Sequence, residues 1–158
     1  MMFHSLSSHP APRRQTPLNT SGQALLEAAL TLSVLCILLL GAAEFGRVTY
    51  AAIAVTRAAK AGVQYGEAST TTATDATGIA NAAANEASDI SGLNTTSSVS
   101  CSCANGATST CSNTDCPGST ILVTLTVHTT ATYDPGIHIP GLPATYTLHG
   151  LAVQQVLP

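Results

Sequence analysis

The most apolar stretch of the chain covers residues 24–43 and reads ALLEAALTLSVLCILLLGAA. Glu27 is its one charged residue. A helix of this length rises about 30 Å, which matches the hydrocarbon core of a bilayer. The pattern therefore predicts one membrane-spanning helix with a carboxylate just inside its first end.

Apolar residues continue beyond this span at helical spacing. A stripe with steps of 3 and 4 follows the run: Phe45, Val48, Ala52, Val55, Ala59 and Gly62. Because no proline interrupts it, we predict one helix over residues 21–66, with membrane embedding over about 24–43. Its outer half needs a packing partner for the stripe. We expect the small domain that follows to pack on this outer half, and we expect neighbouring subunits to pack along its small residues.

The flanking patterns define the remaining organisation. Residues 1–20 lack periodicity and contain Pro10, Pro12 and Pro17, which predicts a disordered leader. Residues 67–158 are predicted to form a separate domain beyond the membrane, with a second helix over about 74–90.

Two strands are predicted in the last third of this domain. Alternating apolar residues from Ile121 to Val127 indicate one strand, and a second runs over about 145–155. Its alternation changes phase at Gly150, which predicts a bulge. The Ser/Thr/Asn/Gly-rich segment 91–119 is predicted to be a cysteine-stapled loop. The fold class is therefore α+β, a long helix followed by a small domain with a short antiparallel sheet.

Charge separates the two parts of the chain. All five Lys and Arg residues lie at or before Lys60, and the residues after it carry six carboxylates, a formal charge of −6. Nucleic-acid binding needs cations against phosphate. We therefore exclude nucleic acid as a partner and expect lipid and protein partners instead.

Four of the five cysteines cluster within sixteen residues: Cys101, Cys103, Cys111 and Cys116. Structural zinc sites favour pairs separated by two to four residues, so this C-x-C spacing favours disulfides over metal. Three pairings are possible, and Cys101–Cys103 is the least favourable because its ring is strained. Disulfides indicate an oxidising compartment. Together with Arg13 and Arg14 before the span, they place the N-terminus in the cytoplasm and the domain outside it.

No pattern in the chain predicts catalysis. There is no nucleophile elbow, phosphate loop or Cys–His pair. His128, His138 and His149 have no metal-ligand spacing. We predict a non-enzymatic protein without a metal or cofactor.

Three interpretations compete for the Glu27 end of the helix. It could be a plain signal anchor, or a secretory signal cleaved between Ala43 and Glu44. The third interpretation uses the spacing from Gly22 to Glu27, which is five residues. This arrangement before a long apolar helix resembles the processing site of type IV pilin-like precursors, which a prepilin peptidase cuts between Gly22 and Gln23.

The segment SGQALLEAALTLSVLCILLLGAAEFGRVTYAAIAVTRAAKAGVQYG resembles the TadE-like family of pilus-assembly proteins. The matching features are the residues from Gly22 to Glu27, the Leu run, the residues from Glu44 to Arg47, and the Ala-rich helix ending at Tyr65. The resemblance implies a pilin-like domain plan and a minor component of the tight-adherence (Flp) pilus machinery. It also implies a location in the bacterial inner membrane or the pilus, with other pilin-like or assembly subunits as partners of the N-terminal helix.

Two groups of residues follow as assembly candidates. Glu27 could pair with the α-amine that cleavage would create on Gln23 of a neighbouring subunit, since a carboxylate at the centre of a membrane helix costs roughly 2.5–3.5 kcal/mol. The alternative is an interfacial carboxylate favoured by the helix dipole. Glu44 and Arg47 are spaced for a helical ion pair, and the resemblance implies an assembly contact through Glu44, Phe45 and Arg47.

The sequence thus predicts a structural subunit of a pilus or pseudopilus. The competing hypothesis is a signal-anchored or secreted binding module, with the cysteine-rich loop as its recognition surface and no role in a filament.

Overall fold

The computed structural model describes residues 20–112, 114–136, 141 and 143–156. The leader up to residue 19 and His138 lie outside the described residues. The elements in chain order are α1 (Thr20–Gly66), α2 (Thr70–Thr74), α3 (Ala76–Glu86), β1 (Asn94–Cys103), β2 (Thr108–Ser109), β3 (Ile121–Tyr133) and β4 (Tyr146–Gln155). The α+β class is confirmed. The chain divides into two compact units, residues 1–40 and 41–158.

The first unit contains the apolar start of α1. Every described side chain from Gly22 to Leu40 is exposed. The hydroxyl groups here bond to the helix itself, since Thr31 donates to the Glu27 carbonyl at 2.8 Å and Ser33 donates to the Ala29 carbonyl at 2.8 Å. With its hydroxyls bonded internally, this half of α1 is suited to a bilayer, where backbone and side-chain polar groups must be satisfied within the segment.

The second unit is built on a four-stranded antiparallel sheet in the order β2-β1-β3-β4. Strand β3 is central, and its alternate residues from Leu125 to Ala131 are buried. These side chains face the helices, because alternate residues of a strand point to the same side of the sheet.

The outer half of α1 packs on this face together with α2 and α3. One core cluster joins Val63 of α1 and Ile79 of α3 to Leu125 and Val127 of β3. A second cluster of small residues contains Ala58, Ala83 and Ala87. Small side chains allow α1 and α3 to approach closely, and burial of the larger ones stabilises the domain by roughly 1.5–3 kcal/mol each.

The helix predicted over about 74–90 is present as α3 over Ala76–Glu86, and the short helix α2 precedes it. Ser69 caps α2 through a reciprocal hydrogen-bonded box with Thr72, and the Asp75 side chain caps α3 by accepting the Gly78 N–H at 2.9 Å. Ser, Thr and Asp side chains stabilise new helix starts. Ile79, Ala83 and Ala87, which are spaced by four residues, are buried.

The prediction of a loop over residues 91–119 is wrong for its first half. Residues 94–103 form β1, which pairs in continuous register with β3 from Asn94↔Thr130 to Cys103↔Ile121. The first five residues of β1 are Asn, Thr and Ser, so apolar alternation is absent from the first half of the strand. Residues 94–103 form a strand because they pair with β3, and the local sequence does not predict this pairing.

The bulge predicted at Gly150 is also absent. Strand β4 pairs with β3 in unbroken register through the Thr129↔Gly150 pair. A side chain at Gly150 would collide with the Thr129 hydroxyl and with the Val55 carbonyl oxygen of α1. The glycine is required by the close approach of helix and sheet, and Leu151 and Val153 simply face outward, each 54% exposed.

Candidate assembly surface on the long helix

The predicted processing site lies in the first turn of the described part of α1. Gly22, Gln23 and Glu27 are all exposed, and a Cβ atom at Gly22 would meet nothing within 4 Å. The peptide bond between Gly22 and Gln23 is therefore not shielded by any described part of the chain. The position of these residues is compatible with peptidase access, and their roles stay predictions.

The distal part of the apolar stripe on α1, from Val55 to Gly62, is covered by the domain that follows it, whereas Phe45 at its start is exposed. Val55 and Ala59 have no exposed area, and Gly62 is buried against Ile79 and Val127. The expectation that neighbouring subunits pack through these buried residues is therefore wrong, and the expected packing of the domain on the outer half of α1 is confirmed. The buried residues of the stripe pack against the same chain, because the sheet and α3 present an apolar surface to this side of α1.

A polar contact fixes α1 to the sheet at the centre of this interface. The Thr129 hydroxyl, which has no exposed area, donates to the Val55 carbonyl at 2.7 Å. This bond satisfies a hydroxyl group that would otherwise be buried without a partner, which costs about 1–3 kcal/mol. No signal in the sequence distinguishes Thr129 from its neighbouring strand threonines.

The opposite side of α1 is exposed and has no described partner. We call it the outward face, and it consists of Phe45, Thr49, Ile53, Arg57, Lys60 and Gln64. Its two large apolar residues are Phe45, 74% exposed, and Ile53, 47% exposed. Phe45 and Ile53 are eight residues apart, which places them along one side of the helix. Arg57 and Lys60 lie on the same side. This face can pack against a second helix.

Glu44 is held by the domain. Its side chain is 19% exposed, and its carboxylate accepts hydrogen bonds from the Tyr133 hydroxyl at 3.3 Å and from the Gly136 N–H at 3.0 Å. Burial, followed by the Glu44 charge, raises the pKa of Tyr133. Glu44 therefore connects α1 to the end of β3, a function that the helical spacing alone did not reveal.

Arg47 and Phe45 are the exposed members of the same group. The predicted ion pair is present, with Arg47 Nη1 3.7 Å from Glu44 Oε2, but the Arg47 side chain is 70% exposed. A pair of this kind is worth about 0.2–0.5 kcal/mol on a helix surface. Arg47 and Phe45 are therefore free to contact other molecules, whereas Glu44 is engaged within the domain.

The four clustered cysteines form two disulfides, Cys101–Cys111 and Cys103–Cys116. The prediction of disulfides is confirmed, and the structure selects one of the three possible pairings. Asp115 organises the stapled segment by accepting the Thr110 N–H at 2.6 Å and the Thr110 hydroxyl at 2.7 Å. These bonds, with the Thr110 hydroxyl first, lower the pKa of Asp115.

Within the described residues, neither the remaining cysteine nor the histidines belong to a group that could hold a metal ion. Cys36 is a free, exposed thiol within the apolar run. Among the residues that the structure describes, no group of three or more His, Cys, Asp or Glu side chains is arranged to hold a metal ion. The two described histidines of the strands, His128 and His149, are exposed on the outer side of the sheet.

Comparison with known proteins finds a family similarity in the long helix. The TadE-like protein family model matches residues 22–64, which confirms the resemblance predicted from the sequence. The match covers almost all of α1 and none of the sheet. Neither the curated proteins nor the solved structures contained a match to the chain. In the described part of the chain, α1 is the one helix long and apolar enough to cross a membrane.

Proposed function

We propose that this protein is a membrane-anchored, pilin-like structural subunit that acts in assembly of a tight-adherence (Flp) pilus. The TadE-like match implies a pilin-like protein associated with this pilus system. The matched residues are those of the long helix, so the helix is the part to which the assembly role is attached. The role of a minor pseudopilin is the finer form of this proposal.

The observation that carries the proposal is the uncovered apolar half of α1. Large side chains along it are widely exposed, including Leu25 at 73% and Ile37 at 69%. The domain itself buries comparable residues, so this exposure is not a general property of the chain. Such a surface requires lipid or other apolar helices around it. A single-pass anchor in the bacterial inner membrane is surrounded by lipid. When the subunit leaves the membrane to enter a filament, the apolar helices of other subunits replace the lipid.

The proposed orientation places the N-terminus in the cytoplasm and the sheet domain outside it. The two disulfides support this assignment, because they persist in oxidising compartments. Arg13 and Arg14 precede the span, although Arg47, Arg57 and Lys60 follow it. The positive-inside rule therefore contributes little, and the cysteines decide the orientation.

The proposed assembly contacts lie at two levels of the helix. At the first, Glu27 pairs with the α-amine that cleavage between Gly22 and Gln23 would create on a neighbouring subunit. At the second, the outward face packs against the neighbour's helix, with Phe45 as its apolar contact and Arg47 beside it. Glu44 acts by holding the domain against α1.

The first experiment is to determine the N-terminus of the mature protein by intact mass and terminal sequencing. We expect it to begin at Gln23, as prepilin-type processing requires. If it begins at Glu44, the product is a secreted domain, and the pilin proposal fails in favour of a disulfide-stapled binding module. If the leader is intact, the chain is a plain membrane anchor and the assembly role loses its main support.

The second experiment separates assembly from anchoring. We expect Glu27→Gln to reduce incorporation into the sheared pilus fraction at least tenfold while the protein stays in the membrane. Glu86→Gln is the matched control, because Glu86 is an exposed carboxylate on α3. Equal incorporation of both variants would refute the pairing of Glu27.

A further inference from the structure

A cleft with both polar and apolar lining opens on the second unit near the end of the apolar run. It has a volume of about 580 Å³ and begins at Ala43, the last residue of the run. We call it the headgroup cleft, and its polar lining consists of Arg47, Tyr50, Asp89, Tyr133 and Asp134. Arg47 follows Ala43 by four residues, which is about 6 Å along the helix. The cleft therefore lies at the depth of lipid headgroups if residues 24–43 span the bilayer.

The charges on the cleft are mixed and arise from different elements. Arg47 of α1 is 70% exposed, and its Nη1 lies 3.7 Å from Glu44 Oε2. Asp89 follows α3, and Asp134 follows β3. Asp89 raises the pKa of the Tyr50 phenol, first by accepting its hydrogen bond and then by its charge. The lining of the cleft thus contains one cation, two carboxylates and two phenol groups.

This arrangement disfavours a ligand of a single charge. An anion would bind at Arg47 but would face the carboxylates of Asp89 and Asp134, whereas a simple cation would face the guanidinium group. A zwitterion that carries a phosphate and a primary ammonium satisfies both. Guanidinium is well matched to phosphate oxygens, and a primary ammonium can donate to a carboxylate and lie against aromatic rings.

We propose that the headgroup cleft binds the phosphoethanolamine group of a membrane lipid, with its phosphate at Arg47 and its ammonium at Asp89 beside Tyr50. The apolar walls of the cleft, Ala131 and Leu148, are then covered by the lipid. This inference rests on the proposed membrane anchoring of α1 but on neither its orientation nor its role in a pilus.

The test is lipid retention by the full chain. The purified protein in detergent is offered equal amounts of phosphatidylethanolamine, phosphatidylcholine and phosphatidylglycerol with identical acyl chains, and bound lipid is measured by native mass spectrometry. We expect at least fivefold more phosphatidylethanolamine than phosphatidylglycerol. Phosphatidylcholine should lie between them, because its ammonium cannot donate a hydrogen bond.

Variants assign the preference to the cleft. Asp89→Asn should bring the two lipids within twofold of each other, and Arg47→Gln should lower retention of all three. Arg57→Gln and Glu86→Gln are the controls, since both residues are exposed and neither lines the cleft. They should retain the wild-type preference. A thermal melt followed by tyrosine fluorescence establishes that each variant is folded.

Several outcomes would overturn the inference. Equal retention of phosphatidylglycerol would indicate a general anionic-lipid surface, and an unchanged preference in Asp89→Asn would place the lipid elsewhere. Purification with a bound peptide in the cleft and no lipid preference would also refute it. None of these affects processing at Gln23 or pilus incorporation, so this inference and the proposed function can fail independently.

Discussion

The two halves of α1 differ in what covers them, although they form one helix. From Gly22 to Leu40 every described side chain is exposed. Beyond Gly41, residues such as Val55, Ala58 and Ala59 are buried completely by the sheet and α3. Hydrophobic content alone therefore does not tell which part of a helix is a membrane or assembly surface. What distinguishes the two halves is whether the same chain supplies a partner for the apolar side.

This comparison changes where assembly contacts are expected. The small-residue stripe of the outer half maintains the fold, so substitutions there test stability and not assembly. The outward face and the inner half remain for lipid or neighbouring subunits. All four tyrosines lie at positions 50, 65, 133 and 146, and the chain has no tryptophan. Tyrosine fluorescence of the full chain in detergent therefore reports the second unit alone, and it can measure the difference between the halves.

The largest difference should come from removing one leucine in each half. Leu125→Ala deletes a side chain with no exposed area at the centre of the core, so we expect the free energy of unfolding to fall by about 2–5 kcal/mol. Leu35→Ala removes a side chain that is 51% exposed in the inner half. The Tyr-detected unfolding of this variant should stay within about 0.5 kcal/mol of the wild type. Equal effects would show that the inner half is part of the same cooperative unit.

The cysteines provide the next comparison. Replacing Cys103 and Cys116 together by alanine opens a disulfide with a sequence separation of 13. We expect a loss of about 3 kcal/mol in the free energy of unfolding, because the unfolded chain regains the entropy of an open loop. Cys36→Ala is the control, since Cys36 is an exposed free thiol in the inner half. Urea unfolding under non-reducing conditions measures both, and an unchanged midpoint in the double variant would contradict a structural role for this disulfide.

Gly150 tests the interface between helix and sheet. A methyl group there would meet the Thr129 hydroxyl and the Val55 carbonyl oxygen, so Gly150→Ala should destabilise the domain by about 1–3 kcal/mol. Gly46→Ala is the matched substitution on the exposed part of α1, where a Cβ meets nothing within 4 Å. Because alanine favours helix, this change should stabilise by roughly 0.5–1 kcal/mol. Tolerance of alanine at Gly150 would instead fit a bulge with room for a side chain.

The elements that could be predicted from the sequence are those in which apolar residues recur at helix or strand spacing. Helix α1, the buried side of α3 around Ile79, and strand β3 all have this signal, and all are present. Strand β1 lacks this signal in its first half, which contains Asn, Thr and Ser, and its pairing partners on β3 run from Thr130 back to Ile121. Its identity depends on pairing with β3, which no local pattern contains.

The candidate site was predictable to a similar extent. The Gly22–Glu27 spacing and the family resemblance identified the helix, and the family match covers it. The contacts of Glu44 with Tyr133 and Gly136 were not predictable, because they join positions about 90 residues apart. The bulge prediction at Gly150 was wrong for a similar reason. Glycine is required there because α1 packs close to the strand, and the sequence of β4 does not show this contact.

The smallest effect should be the dependence of the second unit on acid. Asp75 caps α3 through the Gly78 N–H and accepts the Tyr65 hydroxyl at 2.8 Å. These bonds, with Gly78 first and Tyr65 second, lower the pKa of Asp75 below its ordinary value of 3.8. A carboxyl group whose pKa is lower in the folded state stabilises the protein above its unfolded pKa, and this contribution is lost as the pH falls through the folded pKa. The Tyr-detected melting temperature should therefore decrease as the pH is lowered through the region below about 4. Asp75→Asn keeps a capping side chain but removes the titration, so its melting temperature should be lower at neutral pH and decrease less on acidification.

Glu86→Gln, a change to an exposed carboxylate on the same helix, should retain the wild-type acid dependence. Identical acid profiles for the wild type and Asp75→Asn would show that this cap does not couple the folding of the second unit to pH.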